Sequence, residues 1–193
     1  MTTSVKTIAQ PSAGRLSRQL TWWVLVLPAA MIGALIRHNL YWLDYTHVMS
    51  GALWTGADLF LGFVLGPVLR RLEPAQRRAV ISYLTPRTLL YMPVVALTTG
   101  TAGWYMAHWL GFFNPANPNY LWIIGALVIT LILALQGLGV ILPNNLRILR
   151  EIQKGEPDIE RIWRINRVNI ILAGVQGTLQ VMIILVMAHV VVG

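Results

Sequence analysis

Five stretches of this chain are each long and apolar enough to cross a bilayer, and that requirement leaves few folds open. They cover about 20–37, 46–69, 88–112, 120–146 and 166–191. A hydrocarbon core of ~30 Å needs ~20 apolar residues at 1.5 Å rise each. In lipid every backbone N–H and C=O must find a partner within the protein, which restricts spanning structures to helices and closed barrels. Runs of this length are too long for barrel strands. The expectation is an all-α polytopic membrane bundle of five transmembrane helices, with residues 1–193 forming one domain. Composition agrees, with 56% hydrophobic and 11% charged residues and a mean hydropathy of +0.62. A soluble core has no use for such a balance. The first stretch does not read as a cleavable leader: its apolar run from Leu20 to Ile36 is too long, and Arg37 follows it with no small-residue cleavage site. Pro28, Pro67, Pro93 and Pro143 fall in or near the spans, where neighbouring helices can satisfy the freed carbonyls.

Orientation follows from the cations. Lys6, Arg15 and Arg18 precede the first stretch. Arg70, Arg71, Arg77, Arg78 and Arg87 lie between the second and third. Arg147, Arg150, Lys154, Arg161, Arg164 and Arg167 lie between the fourth and fifth. Arg37 stands alone on the other side. The positive-inside rule then sets the N-terminus in the cytoplasm and the C-terminus in the periplasm, in a bacterial or archaeal cytoplasmic (inner) membrane crossed several times. The net charge of +8 is spent on topology, so no nucleic-acid partner is expected. The expected partners are the lipid bilayer and other membrane subunits or a periplasmic redox partner.

Residues 1–19 read as a loosely ordered polar tail. The segment 37–45 (RHNLYWLDY) reads as a short aromatic external loop, 70–87 as a basic amphipathic turn or helix, and 111–119 (GFFNPANPN) as an external turn. Residues 147–165 read as an extension of the fourth helix broken at Gly155 and Pro157. No internal repeat, phosphate loop, Rossmann fingerprint or HExxH motif is present.

The chain has no cysteine, which excludes disulfides, thiolate-held metals, iron–sulfur clusters and covalent c-type haem. All four histidines fall at one end of the spans. His38 closes the first, His47 opens the second, His108 closes the third and His189 closes the fifth. Imidazole is a common metal ligand and an axial ligand of haem iron. His47, His108 and His189 are therefore candidate ligands of one shared metal or haem, while His38, next to Arg37, reads as an interfacial polar tip. A histidine alone at a helix end is otherwise an ordinary polar tip. Met49, Met106 and Met187 each lie two residues from a histidine, which suggests copper. A regular helix, however, turns residues i and i+2 about 160° apart, so each pair cannot face one ion.

The second stretch, THVMSGALWTGADLFLGFVLGPVLRRL, carries His47, Gly51, Trp54, Thr55, Asp58 and Gly62 at three- and four-residue steps, hence on one face. Gly51 and Trp54 beside His47 suggest room for a flat cofactor; the alternative is plain helix packing by the glycines. Asp58 is the acidic side chain well inside a span. A membrane carboxylate marks a proton or quinone path, or else a carboxylic acid bonded to a neighbouring helix. Gln136, Gln176 and Gln180 read as interhelical hydrogen-bonding groups.

His47, Trp54, Gly56 and the run Gly66-Pro67-Val68-Leu69-Arg70-Arg71, followed by LEPAQRRAVISYLTPR and TTGTAGWYMAH, resemble the copper-resistance-D-type integral membrane proteins. They resemble more weakly the membrane-bound haem-dependent protoporphyrinogen oxidases of bacteria. The likeness covers roughly residues 45–110. It implies a small helical bundle that binds haem b or handles copper, with His47 as a ligand. The oxidases also use a lysine deep in a helix. Here Lys6 and Lys154 both lie outside the spans, which counts against porphyrinogen oxidation. The leading expectation is a haem b protein of a respiratory electron-transfer complex, with the haem near the outer leaflet. The alternatives are a copper-handling membrane protein, with His47, His108, His189 and His38 as ligands, and a structural subunit of a larger membrane assembly.

Overall fold

The computed structural model describes residues 20–154 and 156–192; the tail at 1–19 and the expected break at Gly155 lie outside the described residues. Five helical segments follow one another: α1 (Trp22–Ile36), α2 (Leu40–Arg71), α3 (Pro74–Trp109), α4 (Tyr120–Ile152) and α5 (Ile159–Val192). Among the described residues there is no strand. The last four helices are long and apolar enough to cross a membrane; α1 is shorter. Only 17% to 33% of the most apolar window of each long helix is buried inside the bundle. The outward faces are therefore as apolar as the interior, a distribution that suits lipid and not water.

One boundary differs from the sequence reading, and a second falls on the helical side of it. The segment 37–45 is not a loop: only Arg37–Asn39 connect, and α2 already starts at Leu40. Asn39 makes the start, its side-chain carbonyl accepting a 3.0 Å bond from the Trp42 backbone N–H. His38 takes the turn with φ of 48°. The basic stretch 70–87 is likewise mostly helix, because α3 begins at Pro74, where a capping box between Glu73 and Gln76 satisfies the first amides. The turn at 111–119 is as expected, with Gly111 at φ of 69° reversing the chain.

Both α2 and α4 widen into a π-helical segment, at Phe60–Leu65 and Gly137–Ile141. Each lies just ahead of a proline, Pro67 or Pro143. A proline ring clashes with the carbonyl four residues back and offers no N–H, and opening the preceding turn relieves both problems.

Packing falls into three layers along the bundle. Leu69, Ile81, Ile148, Ile152 and Ile162 form the layer at the Arg-rich end. Val24, Trp54, Val95 and Leu133 form the middle, and Met31, Ala34, Leu43 and Ala102 the far layer. At the Arg-rich end Arg77 closes the α2–α3 turn. Its Nε donates to the Leu69 carbonyl (2.8 Å) and its Nη2 to that of Leu72 (2.9 Å). Its guanidinium lies 4.2 Å from the Trp163 ring centroid. These are carbonyls the end of α2 cannot bond itself. A lysine keeps the charge but loses the fork and the stacking plane. Arg77→Lys is expected to lower stability by about 1–2 kcal/mol, read as a lower unfolding temperature in detergent.

Candidate functional site

Two constellations emerge, one toward each end. The first is centred on His47, in the α2–α3 interface. The imidazole Nδ1 lies 2.9 Å from the Thr99 backbone carbonyl. A carbonyl only accepts, so Nδ1 carries the proton and Nε2 is left with its lone pair. The ring packs against Gly103: a Cβ there would sit 2.8 Å from Cε1 and 3.1 Å from Nδ1. Below it, the Thr99 hydroxyl donates to Ser50 Oγ (2.9 Å), and Ser50 donates in turn to the Thr46 carbonyl (2.7 Å). Thr46 and Ser50 are buried. One histidine is thus held in one tautomer and one orientation, as a ligand histidine is by its outer hydrogen bond.

The other histidines do not join it. His38 stacks on Trp109 with ring centroids 5.1 Å apart. His189 packs on Trp122 at 4.4 Å, and His108 lies 6.5 Å from Phe113. All three are exposed. The shared end is confirmed by Asn119, whose amide donates to the Val190 carbonyl at the end of α5 (3.3 Å). The layer exists, yet among the described residues no three His, Cys, Asp or Glu side chains converge on one metal position. The space expected beside Gly51 is filled by the Thr99 methyl, 3.4 Å from where a Cβ would be.

The second constellation surrounds Asp58. The expected face of α2 is seen in its buried side chains, with Trp54, Thr55 and Asp58 turned inward. Asp58 is fully buried and accepts a 2.9 Å bond from Gln180 Nε2 on α5. Its second oxygen, Oδ1, and the Gln180 Oε1 are buried without a hydrogen-bond partner. Asp58 forms no ion pair among the described residues. It lines a cavity of about 70 Å³ that follows α2 through Leu61 and Leu65 to Leu69. Gln176 sits at the deep end, donating to the Leu133 carbonyl (3.0 Å) and to Gln136 Oε1 (3.4 Å). The glutamines thus bridge helices as their composition suggests.

Asparagines that the sequence reading passed over complete this site. Asn144 Nδ2 donates to Asn169 Oδ1 (2.9 Å), and Asn169 Nδ2 donates to Asn145 Oδ1 (2.8 Å), tying α4 to α5. Arg147 donates to Asn144 Oδ1 (3.0 Å). Asn144, Asn166 and Asn169 are buried. The signal available was a pair of amide residues straight after Pro143, and Asn166 and Asn169 three apart on α5.

No family model, curated protein or solved structure matches this chain. The likeness to the copper-resistance-D-type proteins therefore rests on the residues quoted for it.

Proposed function

We propose that this chain is a five-span protein of a bacterial or archaeal cytoplasmic membrane, N-terminus inside, that serves a respiratory electron-transfer assembly with His47 as its ligand to a haem b near the outer surface. The short α1 counts as a span because it runs alongside α3 from Arg87 to Trp109. At its start the Thr21 hydroxyl donates to the Arg87 carbonyl (3.0 Å); past its end His38 meets Trp109. Arg87 and Trp109 are separated by ~33 Å of helix at 1.5 Å per residue, about the thickness of the hydrocarbon core. The cation distribution supplies the orientation. A reporter fused after Gly193 is expected to work only if it is active in the periplasm; a fusion active in the cytoplasm overturns the layout.

The observation that carries the haem reading is the His47 hydrogen bond to the Thr99 carbonyl, which frees Nε2 for iron. His47 fits as one axial ligand. In this reading His108 and His189 keep the aromatic rings they contact, Phe113 and Trp122. The second position then belongs to a neighbouring subunit or stays open, which accords with a role inside an assembly. When bound, haem supplies one-electron exchange; the chain supplies a fixed imidazole, the Thr99 carbonyl that raises its basicity, and a helix interface that excludes water. Among the described residues no three His, Asp or Glu side chains converge as a copper ligand set. A reduced-minus-oxidised haem spectrum from the protein purified with its partner subunits tests the proposal. Absence of haem from that preparation rejects it in favour of a structural subunit, and stoichiometric copper without haem rejects it in favour of copper handling.

A further inference from the structure

We infer that the cavity beside Asp58 is a water-filled proton path that runs from Asp58 toward the Arg-rich end of the bundle. The unpaired groups select the occupant. With Asp58 ionised, its Oδ1 and Gln180 Oε1 are both acceptors, both buried and both without a partner. An occupant that satisfies them must donate hydrogen bonds or be a cation; an oxidised quinone, which only accepts, satisfies neither. Size narrows the choice. A cavity of about 70 Å³ holds on the order of five waters and no aromatic ring with its substituents. Its walls offer such waters partners at intervals: Thr88 and Thr85 on α3, Asn166 and Asn169 on α5, and Asn145 on α4.

Direction comes from where these groups sit. From Asp58 to Leu69 the lining descends α2 by eleven residues, ~16 Å of axis, and its Thr and Asn side chains lie along this descent. On the other side of Asp58 the buried Trp54, Val95 and Leu133 pack together with Val24, an apolar plug that carries no proton. Among the described residues no cation pairs with Asp58, and Trp54 lines the cavity beside it. The Tyr91 hydroxyl on α3 donates to the Leu53 carbonyl (3.1 Å). The α5 neighbour is the amide of Gln180, and α4 presents Gln136 and Gln176. A carboxylate in a bilayer without a counter-cation is expensive. Asp58 therefore takes a proton from a hydronium in the cavity: the new carboxyl O–H forms as a hydronium O–H breaks, leaving water behind. Release runs the same step backwards. The site is independent of the haem reading and stands if that reading fails.

The absence of native cysteine gives a clean test. Single-cysteine variants Thr88→Cys and Asn166→Cys are expected to react with a membrane-impermeant maleimide from the inner side of oriented membrane vesicles and not from the outer side. Reaction from the outer side, or from neither, overturns the path. The second measurement needs no cavity variant to fold. The infrared carboxyl C=O band of the native protein is expected to shift when the buffer is exchanged for D2O, and that shift is expected to be lost in Asp58→Asn. A band unmoved by D2O overturns proton occupancy. A band that responds to sodium at fixed pH assigns the cavity to a metal cation instead, and overturns the proposal equally.

Discussion

His47→Ala is expected to abolish the low-spin haem spectrum of the assembled complex, while His38→Ala leaves it unchanged. The difference rests on support, not on proximity to the membrane surface. His47 is clamped between two helices by the Thr99 carbonyl and the face of Gly103; His38 is exposed in a turn and touches the Trp109 ring. No cysteine can replace a lost ligand, and both lysines lie outside the spans. A subtler variant separates ligation from folding. Gly103→Ala puts a methyl against Cε1 and Nδ1 without touching the ligand nitrogen's identity. It is expected to shift the spectrum or weaken haem retention, with the helical content of the purified protein preserved. His108→Ala and His189→Ala are expected to behave like His38→Ala, since neither ring is turned toward His47. Loss of the spectrum in either of them restores the pairing within one chain; a normal spectrum in His47→Ala sinks the role assigned to this residue.

The apolar stretches of the sequence were sufficient for the four long helices, because lipid imposes one backbone solution on any run of that length. They were less informative at the ends. Asn39 and Glu73 each start a helix inside a segment that polarity alone marks as loop, since caps are read from a single side chain and not from a periodic pattern. The histidine layer was legible as a set of depths. Depth says nothing of azimuth, and it is azimuth that sends His108 toward Phe113 and His189 toward Trp122. Asp58 stood out as a carboxyl in an apolar run, and the face it shares with Trp54 followed from 3.6-residue spacing. Its partner Gln180 and the Asn144–Asn169–Asn145 bridge come from helices far off in sequence. No local pattern couples such residues. Of the two glycine readings, helix packing holds: Gly51 receives Thr99 and Gly62 meets Gly174, whereas Gly103, unremarked, receives the imidazole.

Gly62→Ala is expected to be among the most destabilising single-methyl changes in the chain. A Cβ at Gly62 would land on the backbone of Gly174, with the Gly174 amide nitrogen 2.6 Å away. Backbone cannot rotate aside as a side chain can. The α2–α5 crossing must open, and this crossing also carries the Asp58–Gln180 bond and seats Leu59 against Gly177. Small residues let membrane helices approach until dispersion and polar contacts hold them, in the absence of a hydrophobic drive between helices already in lipid. Overpacking a fitted contact costs about 1–3 kcal/mol, and a backbone obstacle places Gly62→Ala at the upper end. Gly56→Ala on the same helix is the control. Nothing lies within 4 Å of its would-be Cβ, so the change is expected to be neutral or to stabilise by up to about 1 kcal/mol through helix propensity. Thermal unfolding of the two variants in the same detergent decides the matter. Gly62→Ala with native stability would mean that α2 and α5 do not cross at Gly62 and Gly174, and the Asp58–Gln180 pair would lose its structural basis with it.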